Sequence, residues 1–241
     1  MKTLTILFCL LFSVSLALPA QTTEEQSNTL MEALKQGRKE TVLPLFRKLL
    51  KQAPEQAETC FRLYTEEGTS LHMLLAEELI DFYRTRHDYD KAYTLCRELL
   101  DLRPQDVSLI AACADLQFQA GHLPEAVALY ERVLTKDSAH VQAHIFLGNY
   151  HYWQGERARK VLDEEYRKLP SPTRMQYANY RNNLSLLLTT YYAHAKQHLQ
   201  SVLHTFSSTE AAKTLQAIEE LEEKFGVYRE KHPEKLPARK V

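Results

Sequence analysis

Glycine is scarce in this chain, with six in 241 residues, and proline numbers only nine. So few glycines leave little from which to build a phosphate-cradling loop, and neither that motif nor a Gly-x-Ser-x-Gly elbow is present. An excess of one charge is lacking as well, since 30 Lys+Arg stand against 31 Asp+Glu without a block of like sign. That balance argues against nucleic acid or an anionic membrane surface as the main partner. Beyond Leu18 no apolar run approaches the ~20 residues of a membrane-spanning helix, so no stable membrane insertion is expected there. Two-residue alternation bounded by turn residues is missing too, which removes strands from the reading.

Potential chemistry is equally thin. Past Ala20 three cysteines remain, Cys60, Cys96 and Cys113, an odd number without metal-ligand spacing. Each lies among apolar residues of an expected helix, where cysteine serves as a small core side chain. A Cys96–Cys113 disulfide stays open in an oxidising compartment, because spacing alone fixes no geometry. His140 with His144, and His194 with His198, are spaced to share one helix face. The His-Glu-x-x-His pattern of a zinc-protease helix is absent from both pairs, and a metal site needs three or four ligands. The cluster Glu219, Glu220, Glu222 and Glu223 lacks the alternating oxygens and central glycine of a calcium loop, and reads as a solvated helix face. The expectation is therefore a protein without catalytic residues, metal or other cofactor. The alternatives are a metal-dependent hydrolase using the histidine pairs, or a self-associating structural protein.

The first twenty residues carry an address. Lys2 precedes an apolar run from Ile6 to Leu18, and small residues follow at Ala17 and Ala20, the layout of a cleavable signal peptide. Cleavage is expected after Ala20, with Ala17 the alternative. Cys9 lies inside the run rather than just after it, which argues against a lipid-anchored N-terminus. The protein is expected to be exported, periplasmic or secreted, and these residues are set apart from the fold.

What remains is helix, punctuated. Apolar stripes of helical period break at Gln36-Gly37, before Pro54, and at His87-Asp88, Arg103-Pro104, Ala120-Gly121, Gln154-Gly155 and Leu169-Pro170. Glycine supplies the conformation that ends a helix and proline cannot continue one, so helices of roughly a dozen residues joined by short turns are expected. The pattern repeats every 34 residues: Ala92 and Ala126, Pro104 and Ser138, Cys113 and Leu147, Gly121 and Gly155. Three consecutive frames follow, Met73 to Asp106, Val107 to His140 and Val141 to Arg174.

These frames resemble the tetratricopeptide repeat. The first supplies Leu79, Tyr83, Ala92 and Pro104; the second Ile110, Ala114, Gly121, Ala126 and Tyr130, with Cys113 in the leucine position. The third supplies Leu147-Gly148-Asn149 and Gly155, but Lys160 stands where the motif has alanine, so its second helix is expected to rotate. Worn repeats fit 23–56 and about 176–209, and sixteen residues carrying Cys60, Phe61 and Tyr64 form an extra short helix ending near Gly68. The stretch 172–206 reads either as one long helix or as a hairpin turning at Thr189-Thr190, and the hairpin is favoured. Ser207 with Glu210 fits a capping box that starts a last helix, about 208–231, burying Leu215, Ile218 and Phe225.

The resemblance implies an all-α fold: an α-solenoid of helix-turn-helix repeats over 21–232 with a C-terminal capping helix, followed by a flexible tail, 233–241. It also implies a concave surface lined by the first helix of each repeat. Carried onto the frames, those positions are Asp81 and Arg84, then Asp115, Phe118 and Gln119, then Asn149, Tyr152 and Trp153. Tyr152 and Trp153 are expected to pack on the neighbouring hairpin rather than stand out as anchors. Asn149 matches the asparagine of a subtype that clamps a C-terminal carboxylate, but Ile145 and Trp153 occupy places where polar partners belong. The partner implied is an unidentified protein or peptide, bound in the groove by a scaffold or adaptor of the bacterial periplasm. Oligomeric state is left open.

Overall fold

The computed structural model describes residues 23–231, with side chains to 225. The expected signal segment, residues 1–20, and the tail, 233–241, lie outside them. Every regular element among the described residues is helical. The first eight helices are α1 (23–35), α2 (Lys39–Gln52), α3 (Pro54–Tyr64), α4 (Ser70–Thr85), α5 (Tyr89–Leu102), α6 (Val107–Gln119), α7 (Leu123–Lys136) and α8 (Val141–Arg167). Then come α9 (Arg174–Leu187), a π-helical segment (Leu188–Tyr192), α10 (Ala193–Thr205) and α11 (Thr209–Lys231). The chain forms two compact units whose border, Ala126 to Val127, falls inside α7.

In the first unit the repeat operates as expected. The turns after α1, α4 and α6 each place one residue at positive φ, Gly37 at 65°, His87 at 62° and Gly121 at 86°. These are equivalent positions, and they stop the helix by leaving the right-handed region. A side chain at Gly121 meets open space, so only the backbone conformation opposes one. Gly121→Ala is therefore expected to destabilise this unit by about 1 kcal/mol, measured by urea unfolding. A cost near zero would mean that the turn relaxes to negative φ.

The apolar stripes then close the core. Phe46, Phe61, Leu75, Leu79, Ala92 and Ile110 are fully buried, and Ala114 lets helices approach closely. Polar struts join the hairpins at the surface: Arg47 donates twice to Glu78, at 2.6 and 2.7 Å, and Arg62 pairs with Glu98 at 2.7 Å. Such exposed pairs contribute ~0–1 kcal/mol each and fix geometry more than stability. Deeper, Tyr83 donates its hydroxyl to Glu58 at 2.6 Å. The extra helix α3 ends at Tyr64, with Gly68 in the following loop at φ 78°.

The second unit departs from the pattern. Gly155 does not end a helix; α8 runs through it for 27 residues. Nor is there a turn at Thr189-Thr190: α9, the π segment and α10 are continuous, with αR conformations at Leu187, Leu188, Tyr192 and Ala193. The 141–174 frame and the worn 176–209 frame are thus not two hairpins. They are the two arms of one long antiparallel hairpin, pairing His144 with His198, Gly148 with Leu199, Gly155 with Tyr192 and Asp163 with Tyr180.

The reason lies in two glycines used for proximity rather than for turning. A Cβ on Gly148 would sit 3.1 Å from Leu199, and one on Gly155 would sit 3.0 Å from the Tyr192 ring. The buried residues Leu184, Leu188 and Tyr192 recur at intervals of four, and the wider π turn keeps them on one face. A capping box does occur, but at Thr173 with Gln176, where it starts α9. At the start of α11 it is Ser208, not Ser207, whose hydroxyl accepts from the Ala211 N–H. That last helix buries Ile218 against Tyr192, Leu199 and Val202, with Phe225 partly covered.

Candidate protein-interaction surface

Each expected surface residue has a definite place. On α4, Asp81 and Arg84 are exposed and form an ion pair with each other. On α6, Gln119 donates to Asp115 at 2.7 Å, and Phe118 is 47 % exposed. In the first unit, then, the polar residues engage their own helix neighbours, and Phe118 is the half-exposed ring among these positions.

On α8 of the second unit Asn149 is exposed and Trp153, one helical turn on, is 73 % exposed. The expectation that both aromatics pack inward holds only for Tyr152, whose ring meets Tyr192 edge-on at 6.1 Å. Ile145, where a carboxylate clamp wants a polar group, packs into the apolar cluster instead.

Because α8 continues, Trp153 is followed along the same helix by residues expected elsewhere. Arg157, Lys160 and Arg167 line one open concavity together with Tyr152, Trp153 and Asp163. Beneath it runs a hydrogen-bonded ladder. Tyr192 donates to Glu156 at 2.6 Å, Arg159 bridges Glu156 and Asp163 at 2.6 and 3.1 Å, and Tyr180 donates to Asp163 at 2.8 Å. Burial pushes Glu156 up, but the hydrogen bonds from Arg159 and Tyr192 outweigh it and hold the carboxyl below its ordinary value. Burial and the bond to Asp163 push the Tyr180 hydroxyl up to about 12. The ladder engages both acidic groups, which leaves Arg157 and Lys160 as the exposed charges beside Trp153. The reading that ended α8 at Gly155 could not place them there. The one available signal was the absence of proline from Gly155 to Leu169.

The histidine pairs are rearranged. His140 caps α8, its Nδ1 accepting from the Ala143 N–H at 3.3 Å. His144 instead donates from Nε2 to the Ser138 carbonyl at 2.9 Å and meets His198 Nδ1 with its own Nδ1 at 2.9 Å. The His151 ring lies 5.3 Å from that of His194 and 5.9 Å from that of His198, so four imidazoles line the α8–α10 contact. Among the described residues no three His, Cys, Asp or Glu side chains are placed to hold a metal ion. No described helix is long and apolar enough to cross a membrane.

Comparison with known proteins bears on what such a surface serves. The tetratricopeptide repeat profile matches residues 83–150, which include α6 and α7 and the start of α8. A solved Bacteroides ovatus protein, provisionally designated protein-binding, is 36 % identical and superposes with a TM-score of 0.80. The match covers 84 % of this chain and 98 % of that one. The MamA protein aligns over 89 % of this chain and 95 % of its own, but at 12 % identity and a TM-score of 0.35 the likeness is too distant to bear on the fold. No curated protein sequence matches. With an all-helical fold, repeat turns in register and a relative this similar over nearly its whole length, the chain belongs to the tetratricopeptide repeat family.

Proposed function

We propose that this protein is a non-enzymatic scaffold of the bacterial periplasm that binds a peptide or protein surface through the residues around Trp153. The observation that carries the reading is the exposure of that ring. An indole left 73 % in water offers a partner a large apolar area to bury, and Trp and Arg are the side chains on which binding energy concentrates. Asn149, Arg157 and Lys160 flank it as directional polar groups. In the first unit, Asp81, Arg84, Asp115, Gln119 and the half-exposed Phe118 make up a second candidate surface, at positions the repeat family uses for binding. The protein-binding designation of the relative supports the class of function. The N-terminal residues support export, and the Bacteroides relative supports a Gram-negative envelope.

The test is recovery of partners from cell-envelope extract by wild type, Trp153→Ala and Arg84→Ala. Truncating a hot-spot tryptophan costs about 2–4 kcal/mol of binding, or roughly 30- to 1,000-fold in affinity, so a partner held by wild type is expected to be lost from Trp153→Ala. Equal recovery by all three proteins sinks the assignment. Location is checked separately: a phosphatase fused after residue 231 gains activity only if the chain is exported.

A further inference from the structure

Two cysteines remain that no part of this reading uses. Cys96, on α5, and Cys113, on α6, are both buried in the first unit, with 0 % and 1 % of their surface exposed. Their Sγ atoms lie 2.7 Å apart. That separation is well inside the ~3.5–4.0 Å of non-bonded heavy atoms and approaches the ~2.05 Å of a sulfur–sulfur bond. The repeat explains why the space is theirs. Cys96 occupies the position held by Tyr130 one repeat later, and Cys113 that held by Leu147. Where the next repeat has two large side chains, this one has two short sulfur side chains aimed at each other. Cys60 is the internal contrast: it is equally buried, but its thiol meets the Ser27 hydroxyl at 3.4 Å.

We infer that Cys96 and Cys113 are joined by a disulfide that staples α5 to α6 whenever the chain folds in contact with a disulfide donor. In the first step a Cys113 thiolate attacks the donor disulfide, forming a mixed disulfide and expelling one donor thiolate. The Cys96 thiolate then attacks Cys113 Sγ and expels the second. Two protein thiols are oxidised, one donor disulfide is reduced to two thiols, and the two protons pass to those thiols. Timing follows from burial. Contact with Cys113 and burial push the Cys96 thiol far above its ordinary value, so once the helices have closed Cys96 stays protonated and inert. The bond therefore forms while α6 is still docking on α5. The inference stands apart from the binding reading, since the donor in the test is supplied.

The full chain, reduced and denatured, is refolded with oxidised glutathione or with reduced glutathione. Thiols are then trapped with N-ethylmaleimide in denaturant, and the peptides are mapped by mass. The expected result is a Cys96–Cys113 cross-link that forms only in the oxidised sample, with Cys60 alkylated in both. Equal alkylation of Cys60, Cys96 and Cys113 after oxidative refolding overturns the inference, as does a bond from Cys96 or Cys113 to Cys60 or Cys9. A staple closing so short a loop is expected to raise the melting temperature of the oxidised sample by about 6–12 °C. Cys113→Ala should abolish that difference while retaining the helical spectrum. If the variant does not fold, the wild-type peptide map decides.

Discussion

Replacing Tyr192 with alanine is expected to cost the second unit about 3–5 kcal/mol, the range for emptying a fully buried aromatic site. The ring is 0 % exposed and sits over Gly155 in the contact between the two arms of the long hairpin. Its neighbours are poorly placed to fill the void. Gly155 has no side chain, and Ala195 is small. The hydroxyl adds to the cost, because its loss removes one of the three hydrogen bonds that serve the Glu156 carboxylate. Tyr192→Phe separates the two contributions, keeping the ring and losing the hydrogen bond, and is expected to cost about 1–2 kcal/mol. Urea unfolding followed by circular dichroism measures both. If Tyr192→Ala costs no more than Tyr192→Phe, the ring is not the keystone of this contact.

Gly155→Ala approaches the same contact from the other side. Alanine favours a helix interior over glycine by about 1 kcal/mol, yet its methyl would press on a ring that cannot withdraw without breaking the Glu156 bond. Overpacking costs about 1–3 kcal/mol, so net destabilisation is expected despite the better helix former.

That glycine also shows how far the sequence could be read. Gly121 and Gly155 are the same letter at the same repeat position, and the periodicity treats them alike. For the first, local chemistry decides: the backbone turns at positive φ and the helix stops. For the second, the decision is made 37 residues downstream by Tyr192, whose ring occupies the space that a Cβ would need. Local punctuation thus located the turns after α1, α4 and α6 correctly. It failed where a long-range contact had recruited the punctuating residue. The continuous α9–α10 arm is the less favoured of the two sequence readings: its apolar stripe runs without a phase jump, but the π turn at Leu188–Tyr192 carries threonines and tyrosines, which are weaker helix formers.

The surface was legible in part. Position in the repeat indicated Trp153 as a candidate, but sequence cannot say which way a ring on a two-sided helix faces; its contact partners decide that, and Tyr152 found one where Trp153 did not. Arg157 and Lys160 joined it only because α8 fails to stop. For the histidines, spacing of four predicted partners along one helix. The structure instead uses that spacing to set His144 and His198 opposite each other across two helices.

Acid is expected to loosen this same contact well before the carboxylates titrate. Burial, together with the repulsion of His144, His151 and His194, pushes His198 down to about 4. Burial and His194 lower His151 as well. Both rings are therefore neutral when folded and take up protons near the ordinary value, about 6.5, when unfolded. Between those limits the unfolded chain binds more protons, so stability rises with pH. The contribution is complete above about pH 6.5 and is lost as pH falls towards 4. Because the ring is only half-buried, solvent screens part of the effect, and a loss of about 1–2 kcal/mol is expected for His198. The burial of His72 against Phe61 lowers that histidine too, so the first unit shows a smaller change of the same sign. The measurement is the urea midpoint from pH 7.5 to 5, above the carboxylate range, for wild type and His198→Gln. The wild-type midpoint should fall with acid and the variant's should fall markedly less, since glutamine cannot take up the proton. Parallel curves would place the acid sensitivity elsewhere.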